Sequence, residues 1–331
     1  MSTPTTNLKD LLNRLFNQET LTKEEAKAAL SAIGRGEVDN FQTTALLTCF
    51  QMRQITGEEL AGFREAMIEL AIAIDLSDME TIDIVGTGGD GKDTFNISTT
   101  SSLVVAGAGY KVAKHGNVGV SSICGSSNVL EHLGYKMTND PDQLKAYLDR
   151  ANFCHMHAPL FHPAMKHVVP IRRGLKVKTF FNMLGPLLNP SRPKRQLVGV
   201  YSDSLLPLFK TVFEDMGIEY KVLFAVDGYD EISLTGPFHI RSNRFDGMVT
   251  PSRLFDPTEL HGGDSIPASA KILVSILEGK GTVAQQTVVC TNAGYAIQCF
   301  KPNASIEDCF AEAKEAIESG KAIRMLKNLV K

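Results

Sequence analysis

Through the first 75 residues, apolar positions recur every three or four residues, as in "LKDLLNRLF" at 8–16, with polar residues filling the other face. Thr22 to Glu25 and Thr56 to Glu59 each place a threonine three residues before a glutamate at the start of such a run. That spacing lets each side chain take an end amide of the helix, so both mark helix starts. The stretch predicts a small helical bundle. From "TIDIVGTGG" at 81–89 the pattern becomes short β-branched runs closed by glycine and separated by helix-sized stretches, the βαβ rhythm of a largely parallel sheet. Further strands are predicted at Tyr110–Lys114, Gln196–Tyr201 and Tyr220–Asp227, and "NFCHMHAP" at 152–159 alternates like a buried strand entering a turn. The C-terminus reads as helical from about Ser305. The segment 169–195 carries four prolines among apolar helix fragments and interrupts the rhythm, so it is read as returning to the bundle. The predicted fold class is α/β: a small α-helical domain plus a larger α/β domain with a mostly parallel central sheet and flanking helices. The helical domain is placed at 1–75 with a returning segment at about 170–190, and the α/β domain at 76–169 and 191–331.

Composition narrows the partners. The 331 residues are 43% hydrophobic, and 34 basic and 37 acidic side chains give a net charge of −3 without a polybasic or acidic tract. Neither a nucleic-acid nor a membrane partner is expected. "MSTPTTNLKDLLNRLF" lacks an apolar segment followed by a small-residue cleavage site, and no stretch approaches about 18 apolar residues, so a cytoplasmic protein is expected. Six cysteines show no C-x-x-C spacing and read as free thiols. "CHMH" at 154–157 offers potential metal ligands but not the four closing ligands of a structural zinc site.

The candidate chemistry begins at "GTGGDGKDT", 86–94. Gly86, Gly88 and Gly91 satisfy G-x-G-x-x-G after a predicted strand, yet the next strand ends in Lys114 and His115, not in the acidic residue that a dinucleotide's ribose requires. Gly86 to Lys92 also fits G-x-x-x-x-G-K, but Asp93 stands where a nucleotide P-loop needs a hydroxyl for magnesium. A P-loop relative, with Asp227 closing its acidic strand, and a plain glycine turn both stay open on this motif alone. Thr94, Asn96, Ser98 and Thr99 then precede a small-residue helix, where hydroxyls and free amides converge on a positive helix end. A second loop repeats the arrangement with Lys114, Asn117, Ser121, Ser122, Gly125 and Ser126. Two anion-binding loops at neighbouring strand ends imply a ligand with two phosphate groups. Asp227, Asp230 and Glu231 follow another strand; as hard oxygen ligands they suit magnesium, and as a solvated turn they need no ligand.

In this order, "GTGGDGKDTFNIST", "KHGN…SS…GSSNVLEHLG", "HPAMKHVVPIRR", "FNMLGPLLNP" and "DGYDEISLTGP" resemble the anthranilate phosphoribosyltransferase family over nearly the whole chain. The resemblance implies a homodimer formed through the helical domain and transfer of phosphoribose from phosphoribosyl pyrophosphate to anthranilate, in tryptophan biosynthesis. It places Gly86, Gly89, Asp90, Thr94, Asn96, Ile97, Ser98, Thr99, Lys114, His115, Gly116, Asn117, Ser121, Ser122 and Ser126 around phosphoribosyl pyrophosphate. It assigns Ser98, Asp230 and Glu231 to magnesium, with two ions expected, and Gly86, Asn117, His162, Arg172 and Pro186 to anthranilate. Arg172 would grip the acceptor carboxylate with a planar guanidinium, whereas Arg173 reads as a surface charge. Val118 and Asn128 stand where many members carry arginine and aspartate, and His157 where a larger apolar or aromatic residue is expected.

Displacement at the anomeric carbon develops positive charge on the ribose and negative charge on the leaving oxygen, so charge stabilisation and positioning are the protein's main tasks. No catalytic side chain is assigned: an aromatic amine loses its proton readily once the bond has formed, and no essential general base is expected. A pyrimidine nucleoside phosphorylase resembles this architecture, but Asp230 with Glu231 and the "KHGN" motif argue against it. A nucleic-acid-binding relative should carry a basic groove and damaged magnesium positions, whereas this chain is slightly acidic and keeps those positions.

Overall fold

The computed structural model describes residues 7–119 and 123–331. Four helices, α1 (Leu8–Phe16), α2 (Lys23–Arg35), α3 (Asn40–Met52) and α4 (Gly57–Glu69), make the bundle. Both expected capping boxes form: Thr22 with Glu25 starts α2, and Thr56 with Glu59 starts α4. The chain then alternates through β1 (Thr81–Gly86), α5 (Ile97–Gly107), β2 (Lys111–Gly116), α6 (Ser126–His132), α7 (Pro141–Ala151), β3 (Phe153–His157) and the short α8 (Ala158–Phe161). Two further short helices, α9 (Val169–Leu175) and α10 (Phe181–Leu184), lie in the proline-rich segment. The remaining elements are β4 (Arg195–Gly199), α11 (Leu206–Met216), β5 (Glu219–Ala225), β6 (Phe238–Ser242), β7 (Asp246–Val249) and helices α12 (Ile266–Leu277), α13 (Val283–Gln298), α14 (Ile306–Glu318) and α15 (Lys321–Leu329).

One seven-stranded sheet runs β3-β2-β1-β4-β5-β6-β7, parallel from β3 to β5 and antiparallel over the last two pairings. The expected mostly parallel sheet is present; the antiparallel β6 and β7 were not foreseen. The chain steps outward from β1 in one direction through β2 and β3, then returns to β4 on its other side. That makes the β1–β4 boundary a topological switch point, where open α/β sheets leave a crevice beyond the strands' carboxyl ends.

Two apolar cores divide the molecule. One lies under α5, α13 and the β1–β3 side of the sheet. The other joins the bundle to α11, β4 and β5. Phe180 belongs to the second, stacked on Phe63 of α4 at 4.4 Å and edge-on to Phe50 at 5.4 Å, so the proline-rich segment is packed on the bundle. Asn189 stitches the chain's return from that segment: its amide donates to the buried Asp83 carboxylate (2.9 Å) and to the Ala113 carbonyl (2.8 Å).

Candidate active site

The glycine-rich loop leaves β1 with Gly88, Gly89 and Gly91 all at φ between 68° and 74°, a left-handed path that a side chain would strain. The loop is held at both ends. Gly88 N–H donates to Asp230 Oδ2 at 2.5 Å, and Phe95 N–H donates to the Leu260 carbonyl at 2.9 Å. Its exit delivers α5 with Asn96 at the cap, but the Asn96 amide donates instead to the Cys124 carbonyl (2.9 Å), tying the first loop to the second. Ser98 N–H, in the first turn of α5, donates to Glu231 Oε1 at 3.2 Å. Ile97 and Thr99 are buried beneath the loop, and Thr94 pairs across to His261. Asp90 accepts from Lys92 N–H within the loop.

The second loop starts from Lys114, which is 1% exposed and donates its ammonium to the Ile84 carbonyl and to Ser98 Oγ (3.3 Å). Burial lowers its pKa, against the pull of Asp83, Glu231 and Asp230. Gly116 leaves no room for a side chain beside Ser126 and His155. The Asn117 carbonyl accepts from Ser126 Oγ and Ser127 N–H. Asn128 accepts from Gly119 N–H (2.9 Å) and Gly125 N–H (3.0 Å), so an amide does the loop-closing work without adding a negative charge. Val118 is exposed. Ser121 and Ser122 lie outside the described residues.

Asp230 and Glu231 sit across the β1–β4 boundary from both loops. Gly86 ends β1 and Gly199 ends β4, and a Cβ on either would overlap Asp230. The crevice is therefore built to admit the acidic pair. Burial and then the adjacent Glu231 hold the Asp230 carboxyl well above the usual carboxylate range, and burial pushes Glu231 up to about 7 despite Lys114 and Ser98. Two crowded carboxylates short of positive partners fit a cation. Among the described residues no cluster of three or more His, Cys, Asp or Glu could cage a metal. Asp230, Glu231 and the Ser98 hydroxyl instead suit magnesium shared with substrate oxygens, the usual way that ion is held. Asp227, by contrast, is exposed and accepts from Thr235 in its turn, outside this group.

The acceptor candidates come from the proline-rich segment and the chain before it. His162 is 5% exposed and its Nε2 lies 3.2 Å from His115 Nε2, joining "HPAMK" to "KHGN". Burial lowers His162 to about 4 and holds His115 far below its ordinary range, so the pair is neutral near pH 7, one ring donating and the other accepting. Pro186 is buried and its carbonyl accepts from Gln196. Arg172, half-buried on α9, donates to Asn182 Oδ1 at 3.3 Å and lies 5.4 Å from the Phe181 ring centre. Among the described residues it has no carboxylate partner and no hydrogen bond to either loop. His157 shares a hydroxyl with its neighbour in the strand: Ser127 Oγ lies 2.9 Å from both His157 Nδ1 and His155 Nε2. Cys154 is fully buried, and burial raises its thiol far above the ordinary value, which suits a packed residue.

Sequence reasoning missed two participants. Gly199 carried a signal, a glycine closing a strand pattern, which marks close backbone approach. Lys178 carried none: its ammonium donates to the Gly89 carbonyl at 2.6 Å from a segment with no phosphate-binding pattern.

A family model described as the glycosyl transferase family a/b domain matches residues 78–323, and one for that family's helical bundle domain matches 9–71. An anthranilate phosphoribosyltransferase of Flavobacterium psychrophilum is 54% identical over 97% of this chain and 98% of its own. This chain belongs to the anthranilate phosphoribosyltransferase family. A crystal structure of the Thermus thermophilus family member superposes with a TM-score of 0.91 at 32% identity, covering 97% of this chain and 98% of that one. The Saccharomyces cerevisiae member, solved in complex with PRPP and Mg, gives a TM-score of 0.90 at 25% identity over 98% of this chain and 96% of that one. Both matched architectures, bundle and α/β domain, are those that this family member's hydrophobic pattern predicts.

Proposed function

We propose that this protein transfers the phosphoribosyl group of 5-phosphoribosyl 1-pyrophosphate to the amine of anthranilate and releases pyrophosphate, the second step of tryptophan biosynthesis from anthranilate. The observation that carries the reading is the meeting of two phosphate-type loops with Asp230 and Glu231 at the β1–β4 switch point. Gly86, Gly89, Asp90, Thr94 and Asn96 to Thr99 bind the donor from one side and Lys114 to Asn117 with Ser126 from the other. Ser98, Asp230 and Glu231 hold magnesium, as two ions; the crowding of the two carboxylates beside Ser98 supports a cation there. Magnesium supplies charge neutralisation to the departing pyrophosphate when bound.

Lys114, fixed against Ser98, adds positive charge at the same point, and the amide end of α5 faces the donor. On the acceptor side, Arg172 binds the carboxylate, and Gly86, Asn117, His162 and Pro186 line the approach of the aromatic ring. Burial lowers His162 to about 4 and His115 well below its ordinary range, which makes both rings weak bases and supports a positioning role for His162. A division near residue 76, with 170–190 counted with the bundle, is supported by the Phe180–Phe63 stack. A homodimer through the helical domain is supported by Phe41, 88% exposed, with Met52 and Phe16 also exposed on that domain. Among the described residues no helix is long and apolar enough to cross a membrane, in keeping with a cytoplasmic biosynthetic enzyme.

The deciding experiment follows anthranilate fluorescence after phosphoribosyl pyrophosphate is added with magnesium, and then with a chelator. Loss of fluorescence that the chelator stops is expected. A folded protein that leaves the fluorescence unchanged would refute the assignment of the acceptor, and nucleosides with inorganic phosphate would be tried next.

A further inference from the structure

The lysine at 178 lies two residues before Phe180, which fastens its segment to the bundle, and six after Arg172. From there its side chain crosses to the phosphate loop. The ammonium donates to the Gly89 carbonyl at 2.6 Å and lies 4.8 Å from the ring centre of Tyr201, just beyond the end of β4. Both partners are neutral, and among the described residues Lys178 has no carboxylate within ion-pair distance. Gly89 is one of the left-handed residues of the loop, at φ 74°, so the carbonyl that Lys178 grips sits within the turn that shapes the loop. Lys92 makes a similar contact, 4.6 Å from the Tyr229 ring, but it ties the loop to the acidic turn before Asp230 and not to the segment that carries Arg172.

We infer that Lys178 is a positioning residue for the transfer: it locks the Gly89 turn of the donor loop to the segment that carries Arg172, holding the donor and acceptor sides as one unit. The inference rests on the reading proposed above for those two sides. The bond fixes the loop's backbone without consuming the lysine's charge, because a carbonyl and a ring face are weaker partners than a carboxylate. The positive charge thus remains at the mouth of the loop for an arriving pyrophosphate group.

The test compares wild type, Lys178→Met and Lys178→Arg by calorimetric binding of pyrophosphate with magnesium, and by steady-state kinetics. Lys178→Met is expected to weaken pyrophosphate binding about tenfold, to raise KM for phosphoribosyl pyrophosphate by a similar factor and to lower kcat severalfold, as loss of one charge-assisted contact and one loop constraint predicts. Arginine can still donate to the carbonyl and stack on Tyr201, so Lys178→Arg should stay within about threefold of wild type. Lys178→Met within twofold of wild type in binding and kcat, or Lys178→Arg falling as far as methionine, would overturn the inference. If the methionine variant fails to fold, Tyr201→Leu replaces it and should weaken pyrophosphate binding about threefold, with no change counting against the role. A wild type that binds pyrophosphate but transfers nothing to anthranilate would sink the transferase reading, and the binding comparison alone would then judge Lys178.

Discussion

Two carboxylate sites in this molecule carry opposite solutions to the same problem. In the bundle, Glu59 is fully buried and fully answered: it pairs with both terminal nitrogens of Arg53 and accepts from Leu21 N–H (2.8 Å) and Thr56 N–H (2.9 Å). At the sheet's carboxyl edge, Asp230 and Glu231 crowd each other and receive one backbone amide each, from Gly88 and Ser98. Buried charge that is paired and hydrogen-bonded holds a structure together, whereas buried charge left short of partners is retained at the expense of stability. The first site therefore serves the fold, and on the function proposed here the second serves a ligand.

The comparison breaks most visibly in turnover. Asp230→Ala with Glu231→Ala should lower kcat at least about a thousandfold, the scale on which lost electrostatic stabilisation is felt, with a melting midpoint no lower than wild type. A variant that retains turnover would return the pair to the status of a solvated turn. Glu59→Ala should do the reverse: a loss of about 3–5 kcal/mol in denaturant unfolding, because Arg53 stays buried without its partner, with KM for both substrates little changed in the folded fraction. Arg172→Ala should raise KM for anthranilate about tenfold and leave that for phosphoribosyl pyrophosphate nearly constant, since a charged hydrogen bond contributes about 1.5–3 kcal/mol. An equal rise for both substrates would move Arg172 out of the acceptor site. The smallest effect sharpens the contrast most: Asp230→Asn with Glu231→Gln keeps the shape, removes the repulsion and should raise the melting midpoint by about 2 °C, whereas a fall would mean that the pair supports the fold.

Much of this was legible in the chain. The capping boxes at Thr22 and Thr56 and the strand at 81–86 are local patterns, set by neighbours in sequence, and they formed as read. The glycine-rich turn at 86–91 and the start of α5 behind it were legible for the same reason, because glycine, hydroxyl and amide groups must cluster in sequence to make such a helix entry. What stayed hidden was assembled by distance along the chain. Lys178 reaches a loop 89 residues away. Gly199 matters only because Asp230 folds against it, and the His115–His162 contact spans 47 positions. The short antiparallel β6 and β7 were missed because β7, for example, reads "DGMV", with little periodicity to register as a strand.

The central claim is that Asp230 and Glu231 are kept crowded and short of ion-pair partners in order to bind magnesium together with the donor. The most direct measurement is calorimetric binding of phosphoribosyl pyrophosphate to wild type and to the Asp230→Ala, Glu231→Ala variant, each with and without magnesium. Magnesium should tighten binding to wild type by at least about tenfold and leave the variant's affinity unchanged, as expected if these carboxylates hold the metal that accompanies the donor. The same magnesium-dependent gain in both proteins would contradict it.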